Sequence, residues 1–514
     1  MSKTIIIIGA GLAGLSAALQ AAENGCNVKL VSSLPSERAQ SVMAEGGINA
    51  ALNTKDENDS PEEHFTDTIK AACGLADPNA VWGMTQAAPE LVHWLLKLGV
   101  KFNMSGYDDV DLRNFGGQKK KRTAFAQSDT GKQIMTAMID AVRRKEASGM
   151  VERFSHHSFL TLRLCGNICC GCVIRDEYSQ ETVELPGDAV IVATGGMHGL
   201  FGNTTGSLSN TGEVTAELFR LGVPLANGEM IQYHPTTVKC GGKRMLISEA
   251  ARGEGGRLFA MKDGKQWYFM EEKYPELGNL MPRDITAREI WKVSHESEVF
   301  LDMTEISEEI ISNKLSGLAD DCMTYLHKDI RKEPVSVLPG IHYFMGGILV
   351  DEQHRTPIQN LCAAGECCAQ YHGANRLGGN SLLGALYGGR VAAKSACEQV
   401  DVVDLSCATQ IDFPPASQIS EIKQLNKVMQ ETVGVVRNEN TLLNGIQTVQ
   451  ALTGNLPLLG MAVLKSALAR KESRGAHWRE DYPKSNDDDY LKTTVARFDG
   501  KQIQISFVPV PERR

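Results

Sequence analysis

The chain of 514 residues is long enough for several domains, and 42% hydrophobic with 22% charged residues, 49 Gly and 18 Pro is the composition of a globular protein. Its net charge of -9 at pH 7 has the wrong sign for a general nucleic-acid binder, so nucleic acid is not an expected partner. No apolar run reaches the ~18–20 residues of a membrane-spanning helix, and the opening run Ile5–Ile8 is too short for a signal-peptide core, which points to a cytoplasmic location.

Thr4 to Ile8 is a continuous β-branched run of the kind buried in a parallel sheet, and Gly9-Ala10-Gly11-Leu12-Ala13-Gly14 follows at once. A helix with the stripe Leu12, Leu15, Leu19 and Ala22 comes next, Gly25 stops it, and Asn27 to Val31 reads as a second strand. In this βαβ unit the glycines sit at the strand-to-helix turn, where backbone N–H groups and the helix N-terminus can receive a pyrophosphate. The second strand ends in Ser32 and Ser33 where an acidic ribose ligand is usual, so the unit alone leaves the dinucleotide open. Further on, Asp188 to Val192 is another buried strand, and Ala193-Thr194-Gly195-Gly196 after it gives a second close backbone approach, as in flavoproteins with two dinucleotide folds.

Thirteen Cys without an export signal read as reduced thiols. The densest cluster, Cys165, Cys169, Cys170 and Cys172, lies on alternating sequence that predicts a β-hairpin, with the thiols pointing to both faces. Paired C-x-x-C spacing is absent there, so structural cysteines and no metal site are expected. The basic run Lys119 to Arg122 reads as a solvated edge with a secondary role in drawing dianions to an entrance, and Asp487 to Asp489 as a solvated turn. After the linker signal Pro414-Pro415, Ile419, Ile422, Leu425, Val428 and Met429 recur at helical spacing.

The segment RAQSVMAEGG from Arg38, with the early glycine motif and the ATGG strand end, resembles the flavoprotein subunit of the fumarate reductase and succinate dehydrogenase family. Matching stretches continue along the chain: NFGGQKKKRTAFAQSDTG from Asn114, QYHPT from Gln232, SEAARGEGG from Ser248, PRD from Pro282, HYFMGGI from His342, AAGE from Ala363, HGANRLGGNSLL from His372 and ARKESRGAHWREDYP from Ala469. The resemblance implies an α/β fold: a two-dinucleotide-binding, Rossmann-like FAD domain, an inserted α+β capping domain and a C-terminal helical region. The expected boundaries are 1–225 and 341–410 for the FAD domain, 226–340 for the cap, 411–480 for a shortened helical region and 481–514 for a tail.

Site residues follow from the same resemblance. Arg283 is the implied proton donor, with Glu249 and Arg252, three apart on one helical turn, as the relay behind it. His234, Ser248, His342 and Arg376 are implied to grip the substrate carboxylates, and Phe115 to face the apolar middle of an unsaturated dicarboxylate. FAD contacts are implied at Gly9, Ala10, Gly11, Leu12, Ala13, Gly14, Ser32, Ser33, Ser41, Ala44, Glu45, Gly46, Gly47, Thr194, Gly195, Glu366, Ser381 and Leu382, and at Glu213, where the family usually has Asp. The stretch from Asn380 is expected to start a helix whose positive end faces the flavin.

Two departures carry information. Respiratory members hold FAD covalently through a His in an R-S-H-T stretch, and Gln40 stands there in this chain, so non-covalent FAD and a lower flavin potential, favouring reduction, are expected. L-aspartate oxidase carries an acidic residue in the loop that here reads Asn114-Phe115-Gly116-Gly117, so Phe115 leans toward fumarate over aspartate. The leading expectation is a catalytic flavoprotein reducing fumarate to succinate, or the reverse, fed by an iron–sulfur subunit and lying in the cytoplasm or peripherally on the inner face of the membrane through that partner. The alternatives are a soluble oxidase or reductase of another small acid, L-aspartate oxidase included, and a non-catalytic FAD-carrying electron-transfer subunit.

Overall fold

The computed structural model describes residues 2–106, 109–398, 413 and 418–514. Strand β1 (Thr4–Ile8) turns through Gly9 into α1 (Leu12–Glu23) and the chain returns on β2 (Asn27–Ser32), as the residue pattern predicts. With β3 (Val151–Ser155) and β4 (Ala189–Val192) it builds the greater part of a parallel sheet. The chain then leaves on β5 (Ile231–Cys240) and β6 (Lys243–Leu246), passes α2 (Glu249–Gly253) and α3 (Arg283–Val293), and comes back on β7 (Leu338–Phe344). β8 (Leu361–Ala363) completes the first sheet in the order β8-β4-β1-β2-β3, and α4 (Asn380–Glu398) follows. Helices α5 (Ile419–Thr432), α6 (Glu439–Val449) and α7 (Asn455–Ala469) form the helical region near the end.

β1 is buried on both faces, which is why it reads as an uninterrupted apolar run. Ile5 and Ile7 join the core between α1 and α4, while Ile6 and Ile8 join the core under the hairpin sheet of residues 157–186. Glycine is required at two points of the turn. A Cβ on Gly9, at φ +109°, would lie 2.2 Å from Ala193 O, and one on Gly14 would lie 1.8 Å from Gly9 O, so α1 can settle on the β1 turn only without side chains there.

In the segment between β5 and β7, β5 pairs antiparallel with β7, placing His234 opposite Gly340. A four-stranded sheet packs with α3 on a separate core that includes Ile247, Leu258 and Ile290, and Phe115 reaches into it.

Several sequence readings change. The hairpin His157–Cys165 and Ile168–Asp176 is present, but its register shifts between Arg163 and Leu164, with Gly171 at φ +148°. That bulge brings Cys169 and Cys172 into one buried cluster, although strict alternation would part them. Cys165 is disulfide-bonded, whereas the other described cysteines are free thiols. In the run Lys119 to Arg122 the solvated edge holds for Lys119 and Lys121, which are exposed, and fails for Arg122, which is fully buried 2.8 Å from Asp59 and 3.0 Å from Asp67; Lys120 lies 3.5 Å from Glu63. Asp487 to Asp489 opens a one-turn helix, and Asp487 pairs with Arg474 at 2.5 Å. Pro414-Pro415 falls outside the described residues, while α5 begins where the helical spacing predicted.

Beneath the β5 approach lies a second cluster of buried charge. Arg470 donates from Nε to Glu229 at 2.7 Å, from Nη1 to Glu472 at 2.8 Å and Tyr490 O at 2.7 Å, and from Nη2 to Lys492 O and Thr494 Oγ1 at 2.7 Å each. Arg474 holds the other side of Glu472, and Arg437 donates to Glu229 O and to His477 Nδ1, both at 2.8 Å.

Candidate active site

A cavity of about 1470 Å³ opens along the C-terminal ends of β1, β2 and β4 and extends beneath the β5–β7 segment. Its long arm is lined by Gly9, Ala10, Gly11, Leu12 and Ala13 of the first turn, by Ser32 and Ser33 after β2, and by Gln40, Ser41, Ala44, Glu45, Gly46 and Gly47 of the next loop. Thr194, Gly195, Glu213, Glu366, Ser381 and Leu382 complete it. Gly14 is the one predicted cofactor residue not on the wall, because its lack of a side chain serves helix packing instead. Two features fit a dinucleotide in this arm. Ser32 Oγ is buried at the end of β2 without a partner among the described residues, and a Cβ on Gly11 would meet none of them closer than 3.6 Å, so the turn offers open backbone. Gln40 accepts a hydrogen bond from Ser207 N–H at 2.5 Å, and Glu366 accepts one from Phe344 N–H at 3.1 Å.

The short arm gathers charge from distant parts of the chain. Arg283, the first residue of α3, donates from Nε to Glu249 Oε2 at 2.7 Å, and its Nη2 lies 2.5 Å from the same oxygen. Glu249 opens α2, so Arg252 comes round one turn later and its Nη2 stands 3.3 Å from Glu249 Oε1. Gly116 N–H adds a bond to that oxygen at 3.2 Å. Arg283, Glu249, His234, Ser248, His342, Arg376 and Phe115 line the cavity, while Arg252 lies behind the wall and is fully buried. Burial alone would raise the Glu249 carboxyl, but Arg283 and Arg252 outweigh it and hold the group below its ordinary value.

The two histidines face each other with ring centroids 5.1 Å apart. Burial, then Arg283, holds both well below the usual imidazole range, so they are neutral rings rather than cations. His234 Nδ1 lies 3.1 Å from Thr236 O, an acceptor only, so that nitrogen carries the ring proton and Nε2 is left as an acceptor. Thr205 Oγ1 lies 2.8 Å from His342 Nδ1 against 3.3 Å from Ile341 O; with the hydroxyl proton on the shorter contact, His342 keeps its own proton on Nε2. Arg376 sits 4.4 Å over the Tyr343 ring, its Nε unpartnered and its guanidinium pushed down to about 9 by burial and by Arg283. Phe115 is wedged between two glycines: a Cβ on Gly46 would lie 2.8 Å from its ring and one on Gly378 2.9 Å. Burial and the facing Asp321 push the Glu45 carboxyl up to about 8, against the smaller pull of Arg113.

Sequence reasoning missed several participants. Gln232 accepts from Arg283 Nη1 at 3.1 Å and donates to Arg376 O at 2.8 Å, coupling the two arginines. It stands inside the quoted QYHPT stretch, which was the available signal. Thr205, Arg244 and Asp321 also line the cavity, and nothing local marks them.

The FAD binding domain family matches residues 4–382, and the fumarate reductase flavoprotein C-terminal family matches 452–513. The succinate dehydrogenase flavoprotein subunit of Bacillus subtilis is 38% identical, covering 100% of this chain and 98% of the relative. The 8-methylmenaquinol:fumarate reductase flavoprotein subunit of Wolinella succinogenes is 32% identical, covering 100% and 92%. A solved E. coli quinol fumarate reductase chain superposes with a TM-score of 0.88 at 27% identity, covering 99% of this chain and 97% of that one. The chain is thus an FAD-dependent oxidoreductase. It belongs to the succinate dehydrogenase and fumarate reductase flavoprotein family.

Proposed function

We propose that this chain interconverts fumarate and succinate, with Arg283 as the group that gives or takes the proton. The observation that carries the reading is the Arg283–Glu249 contact on the wall of a cavity that also presents Arg376 and the two neutral histidines. Arg376 offers a fork for one carboxylate, and Nε2–H of His342 offers a donor for the substrate's other oxygens. Phe115 presents an apolar face to the flat middle of the molecule and no counter-charge to an ammonium. Arg283 protonates one alkene carbon while the other takes the hydride that bound FAD, once reduced by the electron partner, would supply, and Glu249 with Arg252 returns a proton to Arg283.

With Gln40 at the position of the linking histidine, the flavin is held non-covalently, and the lower potential that follows favours reduction of the double bond. Relatives are named as subunits of larger enzymes, and an iron–sulfur subunit is the proposed electron partner. No helix among the described residues is long and apolar enough to cross a membrane, so attachment to one would run through partners. The Bacillus subtilis alignment extends over 575 positions against 514 residues here, and we place part of the difference in a shortened helical region whose docking surface is altered.

The test is oxidation of reduced viologen on addition of fumarate, with Arg283→Ala as control. Rapid oxidation abolished by the substitution supports the reading. No turnover by FAD-loaded protein overturns it in favour of another small acid or a non-catalytic subunit. Acid precipitation should leave a colourless pellet and a yellow supernatant; a yellow pellet overturns non-covalent binding.

A further inference from the structure

Arg244, on β6, lines the cavity without the ion pair to Glu249 that Arg283 and Arg252 make. Its Nε donates to Thr237 Oγ1 at 2.5 Å, and its Nη2 to Thr237 O at 3.2 Å and Leu338 O at 3.3 Å. Thr237 Oγ1 itself donates to Leu338 O at 2.7 Å, so it can only accept from the guanidinium. Nη1 has no partner among the described residues, and no described carboxylate forms an ion pair with the side chain. The guanidinium is half-buried nonetheless, and burial lowers its proton affinity with nothing opposing.

The fold makes room for it. A Cβ on Gly340 would lie 2.6 Å from Arg244 Nε, so β7 must lack a side chain there. Gly340 is two residues before His342, and the Arg244 N–H bonds Thr204 O at 3.2 Å, across the seam between the β5–β7 segment and the nucleotide-binding part. Arg244 therefore stands on the cavity wall next to the pair Thr205–His342. Withdrawing a cation from water without a counter-charge is costly, and such a group lining an active-site cavity is completed by an anion that comes and goes.

We propose that Arg244 is a specificity residue that receives a substrate carboxylate at the seam, ahead of His342 and Arg376, and selects dianionic over monoanionic acids. The inference rests on the dicarboxylate reading of the site. Arg244→Gln, which keeps an N–H for Thr237 but removes the charge, should raise KM for fumarate about tenfold or more with kcat within about twofold. The preference for fumarate over its monomethyl ester should shrink by a similar factor, and Arg244→Lys should recover part of both. Unchanged KM and unchanged ester discrimination in a variant of normal melting temperature and flavin content overturn the proposal.

Calorimetric binding of malonate, an unreactive dianion, separates the two readings. If the unmodified protein turns over no four-carbon dicarboxylate, the proposed reaction fails; if malonate still binds and Arg244→Gln weakens it about tenfold, the anion site stands. Equal malonate affinity in both proteins removes Arg244 as its ligand. If Arg244→Gln does not fold, Arg244→Met decides on the same two readouts, and values equal to those of the unmodified protein in both count against the proposal.

Discussion

Two clusters of buried arginine and glutamate flank the start of β5, one around Glu229 just ahead of it and one reaching Gln232 within it, and they are built on opposite principles. Around Glu229 and Glu472, Arg470 uses every N–H it has, on two carboxylates, two carbonyls and a hydroxyl. Around Glu249, three arginines, Arg283, Arg252 and Arg376, bear on one carboxylate, and Arg376 Nε is left without a partner. A saturated guanidinium fixes structure, because nothing is left for it to do. A cluster with cations in excess of acids has capacity in reserve, and that reserve is what a dianion requires.

The contrast can be broken by moving the two effects apart. Arg283→Ala should cut fumarate turnover by about 10²–10⁴-fold while the melting temperature changes little, since the group acts in the transition state. A large loss of stability instead would make Arg283 another structural arginine. Arg470→Met should do the reverse: it removes the cation paired with Glu229, leaves Glu472 to Arg474 alone and costs about 3–5 kcal/mol of stability, with kcat per folded molecule preserved. Calorimetry beside activity per bound flavin checks both.

Smaller changes sharpen the same contrast. Thr205→Val removes the bond that sets the His342 tautomer, and at roughly 1 kcal/mol it should lower kcat/KM about fivefold, with Thr205→Ser restoring it. Glu45 gives an effect confined to a window of pH. Its carboxyl, raised from the ordinary 4.5 to about 8, keeps a proton in the folded protein that the unfolded chain has lost. Its contribution to stability is therefore complete below pH 4.5 and is lost as pH rises through 8. Glu45→Gln should flatten the fall in melting temperature across that window; an unchanged profile would show that Glu45 does not carry that proton.

What could be read from the sequence was what depends on neighbours in the chain. The β1–α1–β2 unit, the start of α4 at Asn380, the helical spacing of α5 and the one-turn pairing of Glu249 with Arg252 are all local patterns. Gly14, Arg122, Thr205 and Arg244 were misread or missed because their surroundings come from afar. Gly14 is explained by Gly9, Arg122 by Asp59 and Asp67, Thr205 by His342 and Arg244 by Gly340. The bulge at Gly171 illustrates the same limit, since one unpaired residue reverses which thiols share a face.

Phe115 has a further consequence, for how this chain can vary. Its ring occupies the space that a methyl group on residue 46 or on residue 378 would need. While the phenyl group is present, both positions are closed to every residue but glycine; a smaller side chain at 115 would open both at once. Residues 46, 115 and 378 are thus free to drift only as a trio, so a relative with alanine at either glycine position should have given up the aromatic ring as well.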